Sequence, residues 1–252
     1  QTCALPICHQ ESKMNLKKLR RGGKMVKIER KNTAKTQLAI QSLAKEKIKS
    51  SGKCNTAEVV EALQEIFHSK CYLCENKNST EWEVEHLIPH GGNSDLKFDW
   101  ENLFWSCGHC NHIKGDKFIP ILDCTKVAVD EIISFRKIGY FGIEESLKFE
   151  KVSNYPDSTE IKTTCDLLQR IYYGKTPQEQ VGAKILRHEV QNELSKFKNY
   201  VRDYNEAIGE DRKDLFVTIH NRLKSNSKFA AFKRWIVRDN PNCKDFIDCW
   251  KN

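Results

Sequence analysis

Cys71-Tyr72-Leu73-Cys74, then Trp82-Glu83-Val84-Glu85-His86, then Cys107-Gly108-His109-Cys110-Asn111-His112-Ile113-Lys114 make up the stretch that decides the fold of this 252-residue chain. Each Cys-x-x-Cys pair offers two thiolates from one short loop, and four thiolates suit a tetrahedral structural Zn2+ with metal–sulfur distances of ~2.3 Å. Between the pairs, Trp82, Val84, His86 and Ile88 alternate with Glu83, Glu85 and Leu87, the pattern of a half-buried strand ending at Pro89. Strict alternation sends Glu85 and His86 to opposite faces, so both serve one ion only if the strand twists, bulges or ends there. Gly91, Gly92 and Asn93 open a loop, Leu103-Phe104-Trp105 predicts a second strand, and a helix carrying Asn111, His112 and Lys114 is expected from Cys107. A β, β, α unit this small buries too little apolar surface to stand alone, which gives a metal staple a physical role. His90, His109 and His112 are alternative zinc ligands, although four cysteines already complete the shell.

Outward from this segment, the composition is that of a globular chain: 39% of residues are apolar. No run approaches the ~20 apolar residues of a membrane span, no secretory signal is evident, and the cytoplasm is the expected location. Seven further cysteines (Cys3, Cys8, Cys54, Cys124, Cys165, Cys243, Cys249) are odd in number and form no compact framework, so reduced thiols are expected. Charge is uneven. Residues 1–53 carry 14 Lys/Arg against 3 Asp/Glu, whereas 54–252 carry 28 against 31. Residues 1–33 therefore read as a basic, partly disordered arm, and such an arm attracts nucleic-acid phosphates with strongly salt-dependent affinity. Residues 1–7 match a translated sequencing-adapter end, so translation is expected to begin at Met14 or Met25.

Leu38, Leu43, Ala44 and Ile48 approximate a helical stripe ended by Ser51-Gly52, and Thr56 caps a second helix with Val59, Leu63, Ile66 and Phe67 on its apolar face. Strands are expected over 131–137 and 147–152. Thr176, Pro177 and Glu179 fit the N-cap, N1 and N3 positions of one long helix running to Gly209, with Val181, Ile185, Val190, Leu194, Phe197, Val201 and Tyr204 as its stripe. Leu215, Phe216, Ile219 and Leu223 predict another helix. Ser227 is the expected cap of a third, ending at Asp239 before Pro241. In that last helix, Phe229, Phe232, Trp235 and Ile236 with Lys228, Lys233, Arg234 and Arg238 fit partner docking or phosphate contact, and fit ordinary packing with a basic rim at least as well. Trp82, Trp100, Phe104 and Trp105 read as miniature core rather than base-stacking platforms.

The order Cys-x-x-Cys, Glu85-His86, Asn102, Cys-x-x-Cys-Asn111-x-x-Lys114 resembles the HNH endonuclease family. The resemblance implies an α+β, mostly helical protein with a zinc-stapled ββα-metal core at 70–125. That core lies in a 34–125 unit with N-terminal helices and is followed by a mainly helical 126–252 region. It also implies His86 as the general base that activates water, Asn102 as the brace of the loop bearing it, and Glu85 and Asn111 as ligands of a catalytic Mg2+ (or Mn2+). Lys114, and more weakly Lys117, are implied as phosphate contacts. Asn111 stands where many members have histidine, and Glu85 where most have aspartate.

Across 70–125, and in the run Ser227 to Ile236, the chain further resembles the HNH subunit of Septu and retron-associated Septu anti-phage systems. That implies phage or other invading DNA as substrate in a bacterial cytoplasm, an ABC/SMC-like ATPase partner, and an association with a retron reverse transcriptase and its nucleic acid, with no membrane partner. A zinc-stapled DNA-binding adaptor and a non-catalytic scaffold of an ATPase complex are the alternatives.

Overall fold

A computed structural model describes residues 27–139, 145–247 and 249–251. Among these the protein is α+β, with two separate two-stranded antiparallel sheets set among helices. None of the described helices is long and apolar enough to cross a membrane. Residues 1–26 of the basic arm, with Met14 and Met25, lie outside the described residues. From 27 onward the chain is packed: Ile28 is buried and its amide donates to the Cys124 carbonyl at 2.8 Å.

Helices α1 (Ala34–Lys47) and α2 (Ala57–Ile66) form an antiparallel pair over the first sheet. Thr33 caps α1 by accepting from Thr36 N. The expected stripe of α1 is corrected: Thr36, Ala39 and Leu43 are buried, whereas Leu38 and Ile48 are exposed. A step from Thr36 to Ala39 to Leu43 follows the 3–4 spacing of one helix face, and Leu38 lies off it. Gly52 closes the connection because a Cβ there would lie 1.9 Å from the Glu46 carbonyl oxygen.

Strands β1 (Trp82–His86) and β2 (Leu103–Cys107) pair with Glu85 opposite Phe104 and His86 opposite Leu103. All five residues of β2 are buried, with Leu103, Phe104 and Trp105 in one core with Val59, Leu63 and Phe67 of the α2 region. The short helix α3 (Ser94–Lys97) interrupts the connection, and α4 (Gly108–Lys114) follows β2 without a break. After a single turn of helix, α5 (Val129–Ile132), strands β3 (Ile133–Ile138) and β4 (Ser146–Lys151) make the second sheet, close to the expected spans.

Helix α6 (Thr159–Tyr173), capped by Ser158, is absent from the expected elements. It turns through Gly174 (φ +70°) into α7 (Pro177–Glu206), where the expected cap is realised: Glu179 N donates to Thr176 Oγ1 at 3.2 Å. The expected stripe is right from Val190 onward and wrong before it. Val181 (64% exposed) and Ile185 (62% exposed) face outward, and Ala183 and Leu186 take the inner face. The five-residue step from Ile185 to Val190 is where the expected stripe leaves the 3–4 spacing.

Helices α8 (Gly209–Leu223) and α9 (Ala230–Asp239) complete the fold. Phe229, in left-handed conformation, occupies the N-cap position of α9 in place of Ser227. Of the two readings of this segment, ordinary packing is the one realised, with Lys233 and Arg234 buried where a solvated rim is expected. Lys233 and Arg234 have no exposed surface; Lys233 donates to Glu193 and Ser227, Arg234 donates to the Leu223 carbonyl, and Arg238 pairs with Asp130. Phe229 and Phe232 are likewise buried, in the core shared with Phe135, Phe149 and Tyr172.

Candidate metal centre and active site

The two knuckles converge. The Sγ atoms of Cys71, Cys74, Cys107 and Cys110 all lie within 4.8 Å of one another, and all four side chains are buried. Cys74 Sγ and Cys107 Sγ are 3.9 Å apart. That is far beyond an S–S bond of ~2.05 Å. It matches the ~3.8 Å edge of a tetrahedron with ~2.3 Å metal–sulfur bonds. Burial and neighbouring sulfurs push the Cys74 and Cys110 thiols well up, so a cation is what makes four thiolates compatible with this enclosure. The donor set fits zinc. His109 instead meets the Ile171 carbonyl through Nε2 at 2.9 Å, and His90 lies against His86, so neither joins the sulfur group.

The framework explains the convergence. Cys107 is both the last residue of β2 and the N-cap of α4, which places Cys110 one turn into the helix. The Cys71–Cys74 knuckle is tied to the same strand by Tyr72 N donating to Trp105 O at 3.0 Å, and it ends on Glu75 at φ +59°.

On β1 the alternation holds, and His86 is the final strand residue. Glu83 and Glu85 share the face toward α4. There Asn111 donates its amide to Glu83 Oε2, and Lys114 Nζ donates to Glu85 Oε1 at 2.6 Å and to the His86 carbonyl at 2.8 Å. Tyr72 Oη donates to the other Glu85 oxygen at 2.7 Å. Burial raises the Glu85 carboxyl above its ordinary range, and Lys114 and Tyr72 oppose the shift. Lys114, implied as a phosphate contact, has no exposed surface, while Lys117 is exposed. Glu83, absent from the sequence-based candidates, stands two residues from Glu85 on the same face, a position its alternation already indicated.

His86 is half-buried with Nε2 3.0 Å from the Lys97 carbonyl oxygen. A carbonyl can only accept, so Nε2 carries the proton and Nδ1 keeps its lone pair. Burial lowers the His86 pKa against the hydrogen bond to the Lys97 carbonyl, which raises it, and the charges of His90, Lys114 and Lys97 add to the lowering, so the neutral ring is favoured at pH 7. The His90 ring lies 4.9 Å away, with its Nδ1 accepting from Gly92 N. Asn102 spans the intervening loop: its side chain accepts from Ile88 N at 2.8 Å and donates to Ile88 O at 2.9 Å and Leu96 O at 3.0 Å. One face of β1 thus gathers two carboxylates, an amide and an ammonium against α4, and the His86 imidazole, at the strand's end, lies with Lys97 and His90 on the other. The oxygen donors Glu83, Glu85 and Asn111 are of the type that hard cations such as Mg2+ take.

No family model matches the chain, and no solved structure matches it. Over 70 aligned residues it is 39% identical to Septu protein PtuB of Bacillus thuringiensis, an alignment covering 25% of this chain and 27% of the relative. The chain therefore spans about a quarter of the curated relative it matches, and over that quarter it is similar to a Septu protein.

Proposed function

We propose that the chain is a metal-dependent HNH-type endonuclease that hydrolyses DNA phosphodiester bonds, with 70–125 as a zinc-stapled ββα-metal core. The observation that carries the reading is the His86 ring at the end of β1, held at Nε2 by the Lys97 carbonyl with Nδ1 left as a proton acceptor, next in the chain to Glu85, whose carboxylate faces α4 with Glu83 and Asn111.

In this reading His86 Nδ1 takes a proton from water as the oxygen attacks phosphorus. Asn102 holds the loop that follows the base, so the ring keeps its orientation. Glu85 and Asn111 would hold a Mg2+ or Mn2+ ion, whose positive charge would offset that of the phosphate and the leaving 3′ oxygen. Lys114 steadies Glu85, which leaves the exposed Lys117 to meet the phosphate. Cys71, Cys74, Cys107 and Cys110 would hold a structural Zn2+ and so tie both knuckles to β2 and α4.

The similarity to a Septu protein supports a role in anti-phage defence in the bacterial cytoplasm. Invading DNA is then the substrate, an ABC/SMC-like ATPase the partner, and a retron reverse transcriptase with its nucleic acid a further associate. The test is plasmid nicking with Mg2+ or Mn2+ by the wild type and by His86→Ala, with and without the product of a neighbouring ATPase gene. Cleavage by wild type and its loss in a folded, zinc-bearing variant is the expected result. Undiminished cutting by the variant refutes the assignment of the base.

A second reading, a zinc-stapled DNA-binding adaptor, gains from one observation: both Glu85 oxygens are already engaged by Tyr72 and Lys114. It predicts salt-sensitive DNA binding without nicking under any of these conditions.

A further inference from the structure

The two side chains that grip Glu85 come from the two zinc knuckles. Tyr72 lies between Cys71 and Cys74, and its hydroxyl donates to Glu85 Oε2 at 2.7 Å. Lys114 lies one turn beyond Cys110, on the helix that Cys107 caps, and its ammonium donates to Glu85 Oε1 at 2.6 Å. The Tyr72 ring is fixed as well, with Phe104 at 4.9 Å and Phe67 at 6.4 Å between centroids, and its backbone amide is tied to Trp105 O. Its hydroxyl therefore has little freedom to leave the carboxylate.

We propose that Tyr72 is a positioning residue for the divalent-metal site: it orients Glu85 and couples the four-cysteine group to the ion that Glu85 binds. This rests on the nuclease reading above, in which Glu85 is a ligand. A carboxylate with one oxygen held by a phenol and the other by an ammonium keeps a fixed plane and offers an incoming cation one remaining lone pair on each oxygen. Without the phenol, the carboxylate can rotate about its terminal torsion, which is broad and soft. Partners of this kind, one bond behind a ligand, change metal affinity by about 10–100-fold when removed. The zinc group thereby acts on the reaction through two side chains, as well as through the backbone it ties together.

The test uses the full chain and Tyr72→Phe, which keeps the ring and removes only the hydroxyl. Mn2+ binding is read by the electron paramagnetic resonance of the free ion, zinc by elemental analysis, folding by the thermal midpoint, and plasmid nicking as a function of Mn2+ concentration. Tyr72→Phe is expected to keep its zinc, to bind Mn2+ about tenfold more weakly, and to recover cleavage as Mn2+ is raised. A residue that only packs would leave Mn2+ affinity unchanged.

Glu85→Gln supplies the second arm. Because Tyr72 acts through Glu85, its removal is expected to change Mn2+ affinity little in the Glu85→Gln background. Wild-type Mn2+ binding by Tyr72→Phe, or the same loss in both backgrounds, overturns the proposal. His86→Ala separates the two levels: it is expected to bind Mn2+ normally and not to cut. If it cuts normally, the nuclease reading fails; if only the Tyr72→Phe result fails, that reading stands without this coupling. A wild type that binds no Mn2+ overturns both.

Discussion

Lys114 Nζ and Glu85 Oε1 form an ion pair at 2.6 Å in which neither side chain is more than 5% exposed. The pair bridges α4 and β1, and it neutralises a carboxylate that burial would otherwise protonate. Breaking such a pair from one side leaves a charge without its partner in a dry place. Lys114→Met is therefore expected to cost about 3–5 kcal/mol of stability. Adding Glu85→Gln is expected to return part of that loss, since the orphaned charge is then gone. Urea unfolding of the two variants checks this, and a Lys114→Met protein as stable as wild type would contradict the pairing.

The four-cysteine group leads to a prediction about composition and stability together. Purified protein is expected to carry zinc bound by this group, and Cys110→Ser to lose it along with several kcal/mol, on the order of 10 °C in Tm for a chain of this size. Elemental analysis and a melting curve decide the matter. Zinc retained in full by Cys110→Ser would place the metal elsewhere.

Asn102 makes three side-chain bonds to the backbone of the 88–96 loop. Asn102→Ala removes them and leaves partly buried backbone groups to find other partners, at about 1 kcal/mol per bond. The expected result is a loss of roughly 2–3 kcal/mol, with faster amide exchange concentrated in 88–96. Exchange that rises evenly over the whole chain would argue against a local brace.

At the α6–α7 turn, Arg170 donates to both oxygens of Glu179, and Lys175 N donates to Oε2. The Arg170 hydrogen bond, with help from the Lys175 amide, lowers the Glu179 pKa to about 2. A carboxyl depressed on folding stabilises the native state above its unfolded pKa of ~4.3 and ceases to do so as pH falls through the folded value. The stability difference between wild type and Glu179→Gln is thus expected to be full at pH 6, to shrink below pH ~4.3, and to vanish near the folded pKa. Thermal melts across this range test it; a difference independent of pH would mean that the carboxylate charge contributes nothing.

Much of this protein is legible in its sequence. Cys71 with Cys74, and Cys107 with Cys110, are held together by the local chain, while the β1–β2 pairing and the bond from Tyr72 N to Trp105 O bring the two knuckles to one place. That pairing is itself written in the alternation of Trp82 to His86 and in the apolar run Leu103 to Trp105, which become β1 and β2. Thr176, Pro177 and Glu179 mark the start of α7 by local hydrogen bonding alone, and the structure has that start. Local rules fail where a residue's environment is supplied from far along the chain. Val181 and Ile185 are apolar yet exposed, because the inner face of α7 is set by what α6 and the second sheet leave to be covered.

The site divides along the same line. Residue types and spacing by themselves determined that a four-thiolate group sits beside a histidine and a carboxylate on one strand, and that the two point to opposite faces. Tertiary structure alone decided that Lys114 is buried against Glu85, that Tyr72 holds the other oxygen, that Asn111 meets Glu83, and that Lys233 and Arg234 belong to the interior. The physical reason is that an ionisable side chain goes where its charge is answered. Glu85 and Lys114 are 29 positions apart, and no local pattern encodes which partner closes such a pair.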